Sequence, residues 1–300
     1  MPPLSESVHV PVLLQEVLTL LKPQAGMVIV DGTLGGGGHT EAICQHGAKV
    51  IALDRDIEAI DRTEQRLRSA IQETPFPVRF VHADYRFFAE ALDMLEIDKI
   101  DGFLLDLGLS SDQLADAHRG FSFDSDGELD MRFDTSEGIA AHKLLMTLPE
   151  AEIANLIYQF GEERYSRRIA QRIVEARRKE QPIQTARQLA ELVRQCVPKS
   201  WKNPIDSATR TFQALRIAVN DELGALQSAL ARLPERMQPG GVAAIISFHS
   251  LEDRIVKNAF RDGPHWEVLT SKPIIASEAE IAQNPRARSA KLRGAKWCTR

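Results

Sequence analysis

The hydrophobic pattern of the first hundred residues alternates short apolar runs with longer segments of helical spacing. Four apolar runs have the length of buried strands, and each ends at an aspartate: 27–31, 49–54, 78–84 and 100–106. The intervening segments have the charge and spacing of helices, and another helix is expected over 10–22. Strands alternating with helices of this length indicate βαβ units. The predicted fold is therefore an α/β domain with a parallel, Rossmann-like sheet.

The pattern changes after residue 108. Residues 108–136 are rich in Gly, Ser and Asp, and residues 140–197 have helical spacing with no strand pattern. We interpret this stretch as an all-helical domain inserted into the α/β domain. The predicted division has three parts: 1–108 (first part of the α/β domain), 109–205 (helical insertion) and 206–300 (second part of the α/β domain).

The strand and helix alternation returns in the last hundred residues. A single long helix is predicted over 208–233, followed by a Pro-Gly-Gly turn and a fifth strand over 242–248. Two further strands, 265–270 and 289–297, are expected as an antiparallel pair at a sheet edge. The second part of the chain therefore completes the sheet that the first part begins.

The net charge of −5 argues mildly against a nucleic-acid partner until it is divided along the chain. Residues 1–160 carry 12 basic and 27 acidic side chains, a net charge of −15, whereas residues 161–300 carry 25 and 15, a net charge of +10. Basic residues concentrate on the predicted helix over 164–179 and in the tail over 286–300. A chain polarised in this way can contact phosphates with one face.

Other features of the composition exclude several classes of protein. No apolar run approaches the roughly 18–20 residues of a membrane span, and the first residues lack the pattern of a signal peptide. The three cysteines, Cys44, Cys196 and Cys298, form no pair at disulfide or metal-binding spacing, and no histidine cluster suggests a metal. We therefore expect a cytoplasmic protein with reduced thiols, no membrane contact and no metal.

A glycine-rich turn follows the first strand, with the sequence DGTLGGGGH at 31–39. Glycines allow a ligand to approach the backbone closely, and the next helix offers free N–H groups at its start. Asp54 closes the second strand 19 residues after Gly35, where an acidic residue typically binds ribose hydroxyls. A tight strand–helix turn without a ligand is the structural alternative.

The residues around this turn favour S-adenosylmethionine over a dinucleotide. The turn lacks the G-x-G-x-x-G spacing that holds a pyrophosphate, and Asp31 at its start suits a cationic ligand better. Asp84 and Tyr85, at the end of the third strand, are placed to contact an adenine. An NAD-dependent oxidoreductase is the second hypothesis, and a ribosome-assembly factor without turnover is the third.

Asp106 and Ser110, at the end of the fourth strand, are expected to face the methyl donor. The amino nitrogen of a base is a poor nucleophile, and an oxygen acceptor that takes its protons exposes the lone pair. His249, after the fifth strand, is a third catalytic candidate. Asp106 could instead be a loop or capping carboxylate, and His249 could cap the next helix. No cysteine lies near these strands, so nitrogen or oxygen is the expected methyl acceptor.

These segments together resemble the RsmH/MraW family of S-adenosylmethionine-dependent methyltransferases, nearly end to end. The matching motifs include HVPVLLQE (9–16), DGTLGGGGH (31–39), DGFLLDLGLSS (101–111), ATRTFQALR (208–216), ISFHSLEDR (246–254) and NPRARS (284–289). The resemblance implies a class I methyltransferase that methylates N4 of a cytosine in 16S ribosomal RNA, in the decoding centre of the small subunit. The cofactor contacts that it implies are Gly37, Gly38, His39, Asp54, Tyr85, Asp106 and Gln113.

An RNA substrate gives the aromatic and basic residues candidate roles. Phe121, Phe123 and Trp201 are candidates to stack on a base that has left its helix, although the core is the favoured interpretation for each of them. The basic helix and tail could grip phosphates, so charge reversal at the arginines of the tail, Arg286, Arg288 and Arg293, is predicted to weaken RNA binding and spare cofactor binding. The sequence leaves open the oligomeric state, for which a homodimer is one option, and assigns no role to 201–206 or 261–283.

Overall fold

The computed structural model describes residues 11–71, 77–198 and 206–298. The chain forms two compact units. The first comprises the chain up to Ser110 together with the chain from Leu223 onward, and the second is Ser111–Glu222. The helices in chain order are α1 (Leu14–Leu21), α2 (Gly38–Gln45), α3 (Ile57–Ala70), α4 (Phe88–Met94), α5 (Ser111–Ala115), α6 (Ala141–Thr147), α7 (Glu150–Gly161), α8 (Ser166–Arg178), α9 (Ala186–Cys196), α10 (Thr209–Asn220), α11 (Glu222–Arg236), α12 (Ser250–Asp262) and α13 (Glu278–Gln283).

A seven-stranded sheet forms the centre of the first unit. Its strands are β1 (Val28–Asp31), β2 (Lys49–Asp54), β3 (Val78–His82), β4 (Ile100–Asp106), β5 (Met237–Ser247), β6 (Trp266–Val268) and β7 (Lys291–Trp297). The strand order is β3-β2-β1-β4-β5-β7-β6. Strands β1 to β5 are parallel, and β7 pairs antiparallel with both β5 and β6. This arrangement confirms the predicted Rossmann-like sheet of the class I methyltransferase type and the antiparallel pair at its edge.

The apolar runs of the sequence are buried on both faces of this sheet. Along β4, Phe103 and Leu105 enter one apolar cluster, which includes Phe88 of α4, whereas Leu104 enters the other, which includes Leu13. A strand covered on both faces has no polar side to alternate with, so it is a continuous apolar run. The strands therefore end where polar side chains return, at Asp31, Asp54 and Asp106.

The register of the parallel strands brings these three aspartates to one edge of the sheet. Asp31 pairs with Ala52 of β2 and with Leu104 of β4, so the carboxyl ends of β1, β2 and β4 are nearly level. We call Asp31, Asp54 and Asp106 the acidic edge. Ligands of open α/β sheets bind outside such carboxyl ends.

The second unit is built from helices, and its boundary corrects the prediction at residue 205. Helix α10 packs on α7, where Gly161 leaves room for the backbone of α10. Gln213 donates from Nε2 to the Phe160 carbonyl oxygen at 2.9 Å. The second unit therefore extends to Glu222, because α10 makes its contacts there. Within 111–198 and 206–222 the β-structure is limited to an isolated bridge between Glu128 and Thr185.

The prediction of a single helix over 208–233 is wrong, because the helix is interrupted at Asp221. Asp221 has a left-handed backbone with φ 48°, which ends α10 at Asn220, and α11 begins at Glu222. An ion pair between Arg216 and Glu222, 2.7 Å from Nε to Oε1, spans the break. No helix in the described part of the chain is long and apolar enough to cross a membrane.

Candidate functional site

The glycine-rich turn between β1 and α2 is braced from within by Asp31. This side chain is 1% exposed. Its Oδ2 accepts a hydrogen bond from Thr40 Oγ1 at 2.7 Å, and its Oδ1 accepts one from the Thr33 N–H at 3.2 Å. Burial raises the pKa of Asp31 to about 6, and these hydrogen bonds lower it. Asp31 therefore ties the turn to α2, rather than presenting a charge to a cation as its position suggested.

Asp54 lies at the end of β2 and holds the glycine turn from the other side. Its Oδ2 accepts from the Gly35 N–H at 2.9 Å, and its Oδ1 accepts from the Asp56 N–H at 2.9 Å. Burial raises the pKa of Asp54 to about 6, and the two backbone hydrogen bonds lower it. Each carboxylate oxygen has a second lone pair, so the predicted contact with ribose hydroxyls is compatible with both bonds.

The glycines of the turn divide into those that pack and those that stay open. A Cβ on Gly37 would clash with Thr63 and one on Gly38 would lie 3.0 Å from the Pro11 ring, so both glycines permit close packing. The Gly37 N–H donates to the Leu34 carbonyl oxygen at 2.7 Å. Gly35 has a positive φ of 48°, and a Cβ there would meet nothing nearer than 3.9 Å. The sequence prediction named Gly37 and Gly38 and missed Gly35, which the spacing to Asp54 could have indicated.

His39 lies between the segment before α1 and the carboxyl end of β4. Its Nε2 is 3.0 Å from the Val12 carbonyl oxygen, which can only accept, so Nε2 carries the proton. The other ring nitrogen, Nδ1, is 3.8 Å from Asp106 Oδ2. The ring is 6% exposed. The His39 ring therefore lies between the Val12 backbone and the carboxylate of Asp106, and its predicted contact with a cofactor stays a prediction.

Asp106 differs from the other two carboxylates of the acidic edge. Its Oδ1 is buried and has no hydrogen-bond partner in the described part of the chain. Burial raises the pKa of Asp106 to about 6; His39 and Arg286 lower it, and Asp31 and Glu252 raise it. A buried acceptor without a partner is costly unless a ligand supplies the donor. This oxygen therefore fits a ligand amino group, which S-adenosylmethionine and a cytosine both carry.

Ser110 and His249, the other two catalytic candidates, have different surroundings. Ser110 Cβ lies 4.0 Å from the point where a Cβ of Gly35 would be, so it borders the open part of the glycine turn. His249 is the N-cap of α12, and its Nδ1 accepts from the Glu252 N–H at 3.3 Å. Its Nε2 lies 3.1 Å from Glu252 Oε1, but it is buried and has no hydrogen-bond partner in the described part of the chain. The capping interpretation of His249 is therefore the one that the geometry favours.

The remaining predicted cofactor residues lie at two places. Tyr85 is 9% exposed and packs against Gly32. A Cβ added to Gly32 would lie 2.9 Å from the Cβ of Tyr85. The carboxylate of its neighbour Asp84 accepts a hydrogen bond from the Arg86 N–H at 2.8 Å and forms ion pairs with Arg86 and Arg55. The carboxylate that was predicted to contact an adenine therefore binds two arginines. Gln113 is 8% exposed and belongs to α5 of the second unit.

The arginines of the tail are not one surface, which corrects the predicted effect of reversing their charges. Arg293 is 7% exposed, and its Nε lies 2.6 Å from Asp253 Oδ1 in an ion pair between β7 and α12. Arg286 lies near enough to Asp106 to lower its pKa. Arg288 is exposed. Reversing all three charges would therefore disturb the fold and the acidic edge together with any RNA contact.

Two of the three candidate stacking residues lie in the described part of the second unit. Phe121 is 5% exposed and stacks on Phe133, with ring centroids 5.7 Å apart. Phe123 is half-buried and packs edge-on against Phe212 at 4.7 Å. The burial of Phe121 agrees with the core interpretation, which the sequence favoured. Trp201 lies outside the described residues.

The basic segment around α8 keeps most of its charges at the surface. Arg177 is used internally, since its Nη1 donates to carbonyl oxygens at the end of α6. Arg172 pairs with Glu175 at 3.2 Å. The exposed cations for which the described residues provide no ion pair are Arg164, Arg167, Arg168, Arg178 and Lys179. We call these five residues the basic face.

The sheet order and the acidic edge define a class I methyltransferase. The model of the MraW methylase family matches residues 6–298, and the chain belongs to this family. This membership rules out the NAD-dependent oxidoreductase.

Two relatives share a name and match this chain over most of both lengths. The chain is 49% identical to the ribosomal RNA small subunit methyltransferase H of Rhodopirellula baltica, over 97% of this chain and 92% of that protein. It is 47% identical to the protein of that name from Geotalea uraniireducens, over 97% and 99%. A solved structure of a putative rRNA methylase from Clostridium thermocellum is similar with a TM-score of 0.48 and 12% identity, over 96% and 98%.

Proposed function

We propose that this enzyme transfers a methyl group from S-adenosylmethionine to the N4 amino group of a cytosine in 16S ribosomal RNA of the small subunit. The family and the names of the relatives support the ribosomal RNA substrate. Asp106 Oδ1, the buried acceptor without a partner at the acidic edge, is the observation that carries the assignment. Since bacterial ribosomes are cytoplasmic, we expect the enzyme to act there. The homodimer stays a prediction.

The proposed cofactor site is the acidic edge with the glycine turn. Asp54 would hold the ribose hydroxyls, and the open backbone at Gly35 would allow the ligand to approach. S-adenosylmethionine supplies an activated methyl group on a sulfonium when it is bound. The residues present fit such a ligand, because Asp54 keeps lone pairs for hydroxyl groups and Asp106 Oδ1 is a buried acceptor without a partner in the described chain. Asp31 contributes indirectly by bracing the turn.

The proposed role of Asp106 is to accept a hydrogen bond from the N4 amino group. The lone pair of that nitrogen is delocalised into the ring, and an acceptor on its protons makes it available. A bound S-adenosylmethionine would supply the methyl carbon for the new N–C bond and leave as a neutral thioether, and the amino proton that the nitrogen loses would pass to the carboxylate of Asp106 and from there to solvent. The hydroxyl oxygen of Ser110 would accept a hydrogen bond from the second amino proton. His249 is the weakest candidate, because its Nδ1 caps α12.

The test of this proposal is methyl transfer to small subunits that lack the modification. Radiolabelled methyl groups and nucleoside analysis of the product identify the enzyme class, the substrate and the acceptor atom together. We expect N4-methylated cytidine with the wild type and almost none with Asp106→Asn. Label on another nucleoside would refute the cytosine assignment. Absence of label with folded, cofactor-loaded enzyme would favour the assembly-factor hypothesis.

The proposed RNA-binding surface is the basic face around α8, because its cations are exposed and free of ion pairs in the described chain. Phosphate contacts dominate affinity for RNA and make it salt-dependent. We expect Arg168→Glu to weaken RNA binding roughly tenfold and to reduce its salt dependence. Arg261→Glu is the matched control, since Arg261 is also an exposed arginine on a helix. Equal loss in both variants would contradict the assignment.

A further inference from the structure

Two side chains of helix α3 donate hydrogen bonds to backbone carbonyl oxygens of the glycine turn. Thr63 Oγ1 donates to the Gly35 carbonyl oxygen at 2.7 Å. Arg66 donates from Nη2 to the Gly36 carbonyl oxygen at 2.8 Å. The other arm of Arg66, Nη1, lies 2.6 Å from Glu41 Oε2 on α2. Two consecutive peptide units of the turn, and the helix that follows it, are thus anchored to one helix.

These anchors fix where the N–H groups of the turn point. In a planar trans peptide the N–H is directed opposite to the carbonyl of the preceding residue. The Gly36 N–H therefore points away from Thr63, and hence away from α3. Its neighbours are already used, because the Gly35 N–H donates to Asp54 and the Gly37 N–H donates to Leu34. Between residues 32 and 37, before α2 begins, Gly36 is thus the backbone donor that remains for a ligand, since no partner for its N–H is found among the described residues.

Glycine makes such an arrangement costly to maintain without anchors. A run of four glycines, 35–38, loses more conformational freedom on ordering than any other sequence of that length. Asp54 restrains Gly35 at its nitrogen, whereas the side-chain hydrogen bonds that the described residues make to the carbonyl oxygens of Gly35 and Gly36 come from α3. Packing adds to the hydrogen bonds, because Gly37 is the residue whose missing side chain makes room for Thr63.

We propose that Thr63 and Arg66 are positioning residues for cofactor binding, which pre-order the glycine turn so that the Gly36 N–H faces the ligand. This inference rests on the proposed location of the cofactor at the glycine turn. Neither residue needs to touch the cofactor. Their contribution is to lower the cost of ordering the turn, so their loss should weaken binding more than it slows the transfer itself.

The test compares paired variants, with S-adenosylhomocysteine as the calorimetric probe. Thr63→Val keeps the shape and removes the hydroxyl, whereas Thr63→Ser keeps the hydroxyl. Arg66→Met removes both donors, and Arg62→Met is the matched control on the same helix, where Arg62 pairs with Glu58. We expect Kd to rise about tenfold for T63V and R66M, the loss expected for one charge-assisted or buried hydrogen bond. The T63S and R62M variants should stay within about threefold of the wild type.

Methyl-transfer kinetics then separate positioning from a purely structural role. The KM for S-adenosylmethionine should rise in T63V and R66M in parallel with Kd, while kcat at saturating cofactor falls far less. Equal loss of kcat in both variants, or a lower melting temperature with unchanged Kd, would overturn the proposal.

A further variant distinguishes this inference from the location on which it rests. If Asp54→Asn weakens binding but T63V and R66M do not, the cofactor lies at the turn and the anchoring role is wrong. If all three variants bind like the wild type, the glycine turn is not the cofactor site.

Discussion

The two ends of the acidic edge are built differently. Asp31 and Asp54 each accept two hydrogen bonds from the protein, whereas Asp106, two strands away from Asp54, keeps a buried oxygen with no partner in the described chain. Burial raises the pKa of all three carboxyls to about 6. The three carboxylates therefore differ in their hydrogen-bond partners and not in their burial. The end at Asp54, where the hydrogen bonds of the carboxylate are made, is suited to hold a ligand. The end at Asp106, where an oxygen lacks a partner in the described chain, is suited to react with one.

Replacing Asp106 should have the largest effect. We expect Asp106→Asn to lower kcat by about 10²–10³, the range for a group that assists proton removal from a nucleophile. The Kd for S-adenosylhomocysteine should change by less than about fivefold. Single-turnover methylation of unmodified small subunits measures the first quantity and calorimetry the second. A large rise in Kd with normal kcat would make Asp106 a binding residue and remove the contrast with Asp54.

The corresponding change at the Asp54 end should affect binding instead. Asp54→Asn replaces one acceptor by a donor that faces the Gly35 or Asp56 N–H, and it weakens any bond to a ribose hydroxyl. We expect Kd for the cofactor to rise at least about tenfold. The kcat at saturating cofactor should fall by a much smaller factor than in D106N. If kcat in D54N falls as far as in D106N, the two ends do not divide binding from reaction.

The pH dependence provides a finer test of the same division. Asp106 must be ionised to accept from the amino group, and its pKa of about 6 lies above the ordinary 3.8. Its carboxylate form is therefore lost as pH falls through 6, and the single-turnover rate at saturating cofactor should fall about tenfold per pH unit below this value. The same fall in rate below pH 6 should be seen in D54N. If the rate of D54N does not fall below pH 6, the titrating group is Asp54.

The sequence predicted the acidic edge because an apolar strand buried on both faces ends where an aspartate appears. It could not rank the three aspartates, since only the register and the loops show that Thr40 and Gly35 satisfy two of them. For the same reason Arg293 and Arg288 look alike in the tail, although only Arg293 is buried against Asp253. The sequence also could not predict the hydrogen bonds of Thr63 and Arg66 to the glycine turn, because these residues lie 28 and 30 positions from the carbonyl oxygens that they bind.

The smallest expected catalytic effect is at Asp31, which braces the turn without facing a ligand. Thr40→Val removes the buried hydrogen bond to Asp31 Oδ2 and should cost about 1–3 kcal/mol of stability. We expect a melting temperature lower by several degrees in scanning calorimetry, with kcat and cofactor Kd nearly unchanged at a temperature well below the transition. Thr40→Ser, which keeps the hydroxyl, is the control. Since Asp31 accepts its hydrogen bonds from Thr33 in the turn and Thr40 on α2, a loss of kcat in T40V without a loss of stability would mean that Asp31 acts on the reaction, as Asp106 does.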